Sequence, residues 1–275
     1  MAIALLLFAC IPVVIKGIAA NIFTIGIARL SLALLLVGSF IVWRRRKQIR
    51  HMAWRSIALP LIVIGVVFAL HWLTYFLAIK MSTASIGALG VATYGVHLLI
   101  LSAVIQKQSL KLTDVIAIVT VVTGSILVLY DGQPLLDSQF LPGFLIGVVS
   151  GFLFAVLPLL HQHYQAIDHD MRTLGQFVIA AGVFLLFLPQ ANWQLTQSDW
   201  LGLLFLGVFG TAVMHTLWVR VTTLMPTKIT SVTIYLYLPV VMLLSRALLN
   251  EPLHVSMLIG AALIVAGNVF AALVR

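Results

Sequence analysis

A single cysteine, Cys10, stands among 275 residues, so an intramolecular disulfide is excluded. Charge is nearly as scarce: charged residues make up 8% of the chain, and seven are acidic. A soluble domain carries roughly a quarter of its residues charged, so this composition does not describe one. Asp114, Asp131, Asp137, Asp168, Asp170, Asp199 and Glu251 all lie between apolar runs or near their ends. That placement excludes a carboxylate relay at mid-membrane and leaves histidine, with an ordinary pKa of about 6.5, as the available titratable group. No Cys/His set has metal-ligand spacing, no nucleophile has an assembled base, and no glycine run forms a phosphate loop or dinucleotide fingerprint. No cofactor and no metal site are expected. His161, His163, Asp168, His169 and Asp170 read as a solvated polar loop rather than a weak metal site.

What the chain does have is apolar length. It is 62% hydrophobic with a mean hydropathy of +1.16, the composition of an integral membrane protein. A helix crossing the hydrocarbon core needs about 20 apolar residues. Runs of that kind predict spans at 2–19, 22–43, 57–79, 82–105, 112–130, 140–160, 173–190, 199–220, 229–248 and 254–273. Connections are short, so no soluble domain is expected outside the membrane. Residues 1 to 19 read as a retained first helix: LLLFAC slightly resembles a lipoprotein cleavage site, yet no positive segment precedes it.

Even alternation of ten spans sorts Lys and Arg sharply by side. Twelve of the sixteen fall on one side: Arg44, Arg45, Arg46, Lys47, Arg50, Arg55, Lys107, Lys111, Arg172, Arg220, Lys228 and Arg275. Only Lys80 falls on the other, while Lys16, Arg29 and Arg246 lie within spans. The positive-inside rule then predicts both termini in the cytoplasm. It also accounts for the pI of about 10.1, so a nucleic-acid partner is not expected.

The chain also repeats itself. Arg29 and Arg172, Tyr94 and Tyr237, Leu110 and Leu253, Val122 and Val265, and Gly124 and Gly267 are each 143 residues apart. Each match is weak, but one constant offset marks duplication. With five spans per half, an odd number, the second copy enters the membrane from the opposite side. Inverted repeats build transporters that bind at the midplane and alternate between two open states.

Certain segments resemble the drug/metabolite transporter superfamily, specifically EamA-type permeases with two five-helix units. FACIPVVIK, Phe8 to Lys16, is similar to the opening of the first unit, with Phe8 and Ala9 where Trp and Gly are usual. Arg29 in IARLSLAL matches the Arg early in the second helix. ALHWLTYFLAIKMSTASIGAL, Ala69 to Leu89, is similar to the hairpin of the third and fourth helices. YLPVVMLLSRALLNEPL, Tyr237 to Leu253, carries the Pro and Glu-Pro-Leu of the ninth helix, and GAALIVAG, Gly260 to Gly267, follows. Val96, Gln108 and Leu159 depart from the pairing, matching Pro239, Glu251 and Lys16. The resemblance implies an all-α membrane protein of ten helices in two inverted repeats, 1–130 and 140–275. It further implies a cavity among spans one to four and six to nine, with spans five and ten peripheral.

His71, His97 and His215 lie inside spans, each three or four residues from an aromatic: Tyr75, Tyr94 and Trp218. With Trp72, Tyr235 and Tyr237 they either line an amphipathic cavity or hydrogen-bond between helices and lock the bundle. Lys16 either snorkels to the interface or anchors a substrate carboxylate, and Arg29 is read as structural, held by a helix end or a carbonyl. Arg246 and Glu251 form a clasp at the end of span nine, Pro239 a kink or hinge, and Pro226 a turn. Gly65, Gly87, Gly90, Gly124, Gly207, Gly210, Gly260 and Gly267 suit close helix approach. The expected function is movement of a small polar or amphipathic metabolite, an amino acid or related compound, with export as the family's direction. A membrane enzyme acting on lipid needs convergent polar groups that this chain lacks. A non-transporting structural subunit needs no cavity.

Overall fold

The computed structural model describes residues 2–52, 54–105, 107, 109–130, 138–214 and 234–274. His215 and Trp218 lie outside the described residues, as do Gln108, Asp131, Asp137, Arg220, Pro226, Lys228 and Arg275. Among the described residues the chain is helical, without a strand. In order the helices are α1 Ala2–Gly17, α2 Ile22–Arg50, α3 Trp54–Met81, α4 Ala84–Ile105, α5 Leu112–Leu129, α6 Leu141–His163, α7 His169–Leu185, α8 Gln197–Val213, α9 Tyr237–Leu249 and α10 Val255–Leu273. Six of them, α2 to α6 and α10, are long and apolar enough to cross a membrane.

Local chemistry sets the helix ends. Asn21, Thr83 and Thr196 each turn a side-chain oxygen onto a backbone N–H two or three residues on, the N-cap arrangement that satisfies an otherwise orphaned donor. Asp168 does the same for α7, accepting from Asp170 N at 2.9 Å. α2 runs on to Arg50, past its expected end at 43, because the basic run remains helical and finds acids. Arg45 bonds Asp170 at 2.7 Å and reaches Asp168 at 3.5 Å, at the start of α7. Two helices contain a π turn, Leu34–Gly38 in α2 and Val208–Val213 in α8. α4 is broken by a turn at Ala92 and Thr93.

The ends gather in two groups. At one end Lys16 donates to the carbonyls of Lys80 (3.2 Å) and Ser82, Lys80 donates to Ile18 O at 2.6 Å, and Asp199 accepts from Ala19 N at 2.8 Å. Asn21 and Thr24 bond Asn192 there, and Ser256 donates to Tyr130 O. Glu251 sits at this end too, and it makes a different clasp from the one expected. Its carboxylate accepts from Ala84 N (2.6 Å), Ser85 N (3.2 Å) and Ser85 Oγ (3.0 Å), while Arg246 reaches only its backbone oxygen, at 3.4 Å. The left-handed Asn250 ends α9 and turns the acid away from its own helix, across to the N-terminus of α4. At the opposite end, Arg45 meets α7, and Arg172 donates to the carbonyls of His161 and Ile167.

Small residues bring particular helices into backbone contact. A Cβ on Gly124 in α5 would lie 2.6 Å from Gly260 O in α10, and one on Gly267 would lie 3.0 Å from Ala117 O. Gly124 and Gly267 are 143 apart, as are Ala117 and Gly260, so the repeat carries one contact onto the other. The outer faces of α5 and α10 keep Leu112, Val119, Val122 and Ile259 exposed, the surface of helices set in lipid. α4 and α6 cross as closely at Gly90, Gly147 and Gly151.

Two outcomes follow for stability. Gly124→Leu forces α5 off α10 and is expected to destabilise by about 1–3 kcal/mol, the range for overpacking, whereas Val122→Leu on the lipid face leaves the melting temperature in detergent unchanged. Glu251→Gln replaces charge-assisted bonds at the α4 terminus, each worth about 1.5–3 kcal/mol, with a neutral amide whose –NH2 faces one of the two N–H groups, and is expected to lower the melting temperature more than Arg246→Gln does.

Candidate functional site

A cavity of about 110 Å³ opens where α1, α2, α3, α4, α6 and α9 meet Met214, the residue after α8. Counted at 1.5 Å per residue from the Glu251 end, its lining side chains sit roughly 10–20 Å deep, near the middle of a bilayer. α5, α7 and α10 contribute nothing to it.

The lining pairs up by the repeat offset. Ile11 and Phe154, His71 and Met214, and Tyr94 and Tyr237 all line the cavity, and each pair is 143 residues apart. Equivalent positions of both halves therefore face one space, as they must if the cavity lies on the axis relating the repeats. The seven other lining residues, Phe8, Arg29, Phe68, Trp72, Tyr75, Val91 and Ala92, have no repeat equivalent in the described lining. Phe8 is matched by Gly151, and Arg29 by Arg172 at the far end of the bundle.

α3 supplies one wall through Phe68, His71, Trp72 and Tyr75, residues one turn apart on a helical face. The His71 ring stacks between Tyr75 (6.0 Å, 7°) and Phe154 (4.9 Å, 19°). Its Nδ1 lies 3.1 Å from Ser150 O and 2.8 Å from Ser150 Oγ. The carbonyl can only accept, so that contact carries the proton on Nδ1 and leaves Nε2 an acceptor. Ser150 Oγ in turn donates to His71 O at 3.0 Å, tying α6 to α3. Opposite, Tyr94 stacks on Tyr235 at 5.5 Å and meets Phe154 edge-on at 5.1 Å. Tyr235 itself is a buried second layer.

Arg29 completes the wall. It is 2% exposed, and its guanidinium carbon lies 4.1 Å from the Trp72 ring centroid and 5.3 Å from that of Phe76. Nε donates to Thr211 Oγ1 at 3.0 Å and Nη2 to Gly210 O at 3.2 Å. The π turn makes the second bond available. Met214 N reaches back to Phe209 O and Thr211 O instead of Gly210 O, so the Gly210 carbonyl is released for the arginine. Nη1 is buried with no acceptor.

Among the expected candidates, His71, Trp72, Tyr75, Tyr94 and Tyr237 come together at this cavity. His97 does not: it sits edge-on to Phe152, with Nε2 3.3 Å from Thr93 Oγ1, on the face of α4 turned to α6. Lys16 also stands away from the cavity, because the last carbonyls of α3 hold its ammonium as a helix C-terminus holds any cation. Pro239 falls in the first turn of α9, just after the 3-10 turn Ile234–Leu236, where a missing N–H costs no intrahelical bond. Sequence reasoning passed over Ile11, Phe68 and Phe154, although the offset of 143 from its own repeat pairs Ile11 with Phe154.

A solved crystal structure is similar over 99% of this chain and 94% of its own, at 18% identity and a TM-score of 0.68, a likeness of fold alone. No curated protein sequence matches. The sequence does match the EamA-like transporter family twice, over residues 1–130 and 141–273. That family comprises multi-pass membrane transporters of small molecules rather than enzymes, and with two copies spanning nearly its whole length, this chain belongs to the EamA-like transporter family.

Proposed function

We propose that the protein is a ten-helix inner-membrane permease of two inverted repeats, 1–130 and 140–275, which exports a small polar or amphipathic metabolite, an amino acid or related compound, by alternating access. The observation that carries this reading is the paired lining: three pairs of repeat-equivalent residues face one cavity at mid-depth. A site on the repeat axis stays in place while the halves rock about it.

The two ends supply the gates. Asp199 to Ala19 and Glu251 to Ala84 and Ser85 join the halves at one end; Arg45 to Asp168 and Asp170 joins them at the other. Opening toward either side breaks one set while the other holds. The Arg45 end is cytoplasmic, since it carries the dense run Arg44 to Arg50, and both termini lie there. Inside the cavity, ring faces of Tyr75, Tyr94 and Tyr237 take the apolar part of a solute, while His71 and the tyrosine hydroxyls accept and donate hydrogen bonds. No proton relay is required for movement down a gradient.

Reconstitution into liposomes with a panel of amino acids, organic cations and nucleotides tests the reading. Counterflow of at least one compound is expected. Met214→Trp, which fills the cavity from its α8 side, is expected to cut that flux more than tenfold while the protein remains folded. Absence of flux for every compound contradicts the proposal, as does full flux in Met214→Trp.

A further inference from the structure

Every carboxylate among the described residues is engaged away from the cavity. Asp114 accepts from Lys111 N at 2.9 Å, Asp168 and Asp170 face Arg45, Asp199 accepts from Ala19 and Thr196, and Glu251 accepts from Ala84 and Ser85. Arg29 therefore brings a positive charge to the cavity wall that no described acid balances. An uncompensated charge at membrane depth is costly, and such a residue is retained where it meets a charge of the opposite sign.

The contacts of Arg29 hold the guanidinium in place without exhausting it. Trp72 lies against its face, Thr211 and Gly210 take Nε and Nη2, and Nη1 is buried without an acceptor. A carboxylate entering the cavity that Arg29 lines supplies the missing charge, and where the side chain turns to uncover Nη1 its two oxygens meet the fork of the guanidinium. Resting on the permease reading above, we infer that Arg29 is the anchor for the carboxylate of the transported solute, a small organic molecule with one carboxylate whose apolar body lies against Phe8 and Phe154.

Two observations set the size and charge of that solute. The cavity, at about 110 Å³, is of the order of the ~150 Å³ space that admits benzene, so the body is a single small ring or a short chain. The repeat equivalent of Arg29 is Arg172, which donates to His161 O and Ile167 O at the cytoplasmic end, so among the described residues the cavity holds one cationic anchor. A dicarboxylate finds no second cation among the described lining residues.

The experiment uses the full-length protein in liposomes and in detergent, with two matched pairs of probes: benzoate with benzamide, and leucine with leucinamide. Apparent affinity is read by thermal shift and by inhibition of counterflow. For the wild type, each carboxylate is expected to bind at least about tenfold more tightly than its amide, a difference of about 1.4 kcal/mol. Arg29→Gln is expected to bring the benzoate-to-benzamide ratio to about one by weakening benzoate, and Arg29→Lys to keep an intermediate preference because charge remains while the fork is lost. If Arg29→Gln does not fold, the wild-type ratio and Arg29→Lys carry the test. Equal affinity of the wild type for carboxylate and amide overturns the anchor while leaving the permease reading intact, and so does a benzoate preference that survives in Arg29→Gln. No flux of any probe, neutral, cationic or anionic, overturns the permease reading and the anchor with it.

Discussion

No water reaches the hydrocarbon core, so every polar group placed there has to find its partner inside the protein. That constraint organises this molecule. Lys16 and Lys80 spend their charge on the terminal carbonyls of α3 and α1, Glu251 caps the first N–H groups of α4, and Ser150 closes on both His71 Nδ1 and His71 O. Each of these bonds joins elements distant in sequence, so the rule that satisfies the polar groups also fixes which helices are neighbours. Where side chains are small, backbones make the same connection by direct approach, as at Gly124 with Gly260 and Gly90 with Gly147.

Against this background of satisfied groups, Arg29 differs in kind. A π turn in α8 gives up a regular backbone bond and releases the Gly210 carbonyl, yet Nη1 still has no acceptor. The turn holds the guanidinium over Trp72, in the wall of a cavity that three symmetric pairs also line. Symmetry and its violation divide the labour. Ile11 with Phe154, His71 with Met214 and Tyr94 with Tyr237 bring both halves to one space, while Arg29 and the other unpaired lining residues make that space asymmetric.

Much of the fold was legible in the sequence because hydropathy and the offset of 143 are properties of residues taken along the chain. Membrane character and most helix positions follow from them, and five aromatic and histidine candidates indeed share the cavity. What escaped depends on partners contributed by other elements. Glu251 looked like a partner for nearby Arg246, but the left-handed Asn250 sends it across to Ala84. His97 shares a helix with Tyr94, yet three residues turn it toward Phe152. Pro239 looked central because the apolar run begins well before it, whereas α9 itself starts only at Tyr237. Arg29 was legible as a group held by a carbonyl; its place in the cavity wall rests on a π turn that no periodicity announces.

The central claim is that the two halves rock about a fixed cavity. Paired spin labels test it directly in a Cys10→Ser background: one pair at Met81 and Ser198, at the Glu251 end, and another at Gln48 and Gln162, at the Arg45 end. Distances measured by pulsed electron resonance, with and without a transported solute, are predicted to move in opposite senses, one end opening as the other closes. Distances that stay fixed at both ends, or that widen together, contradict the account.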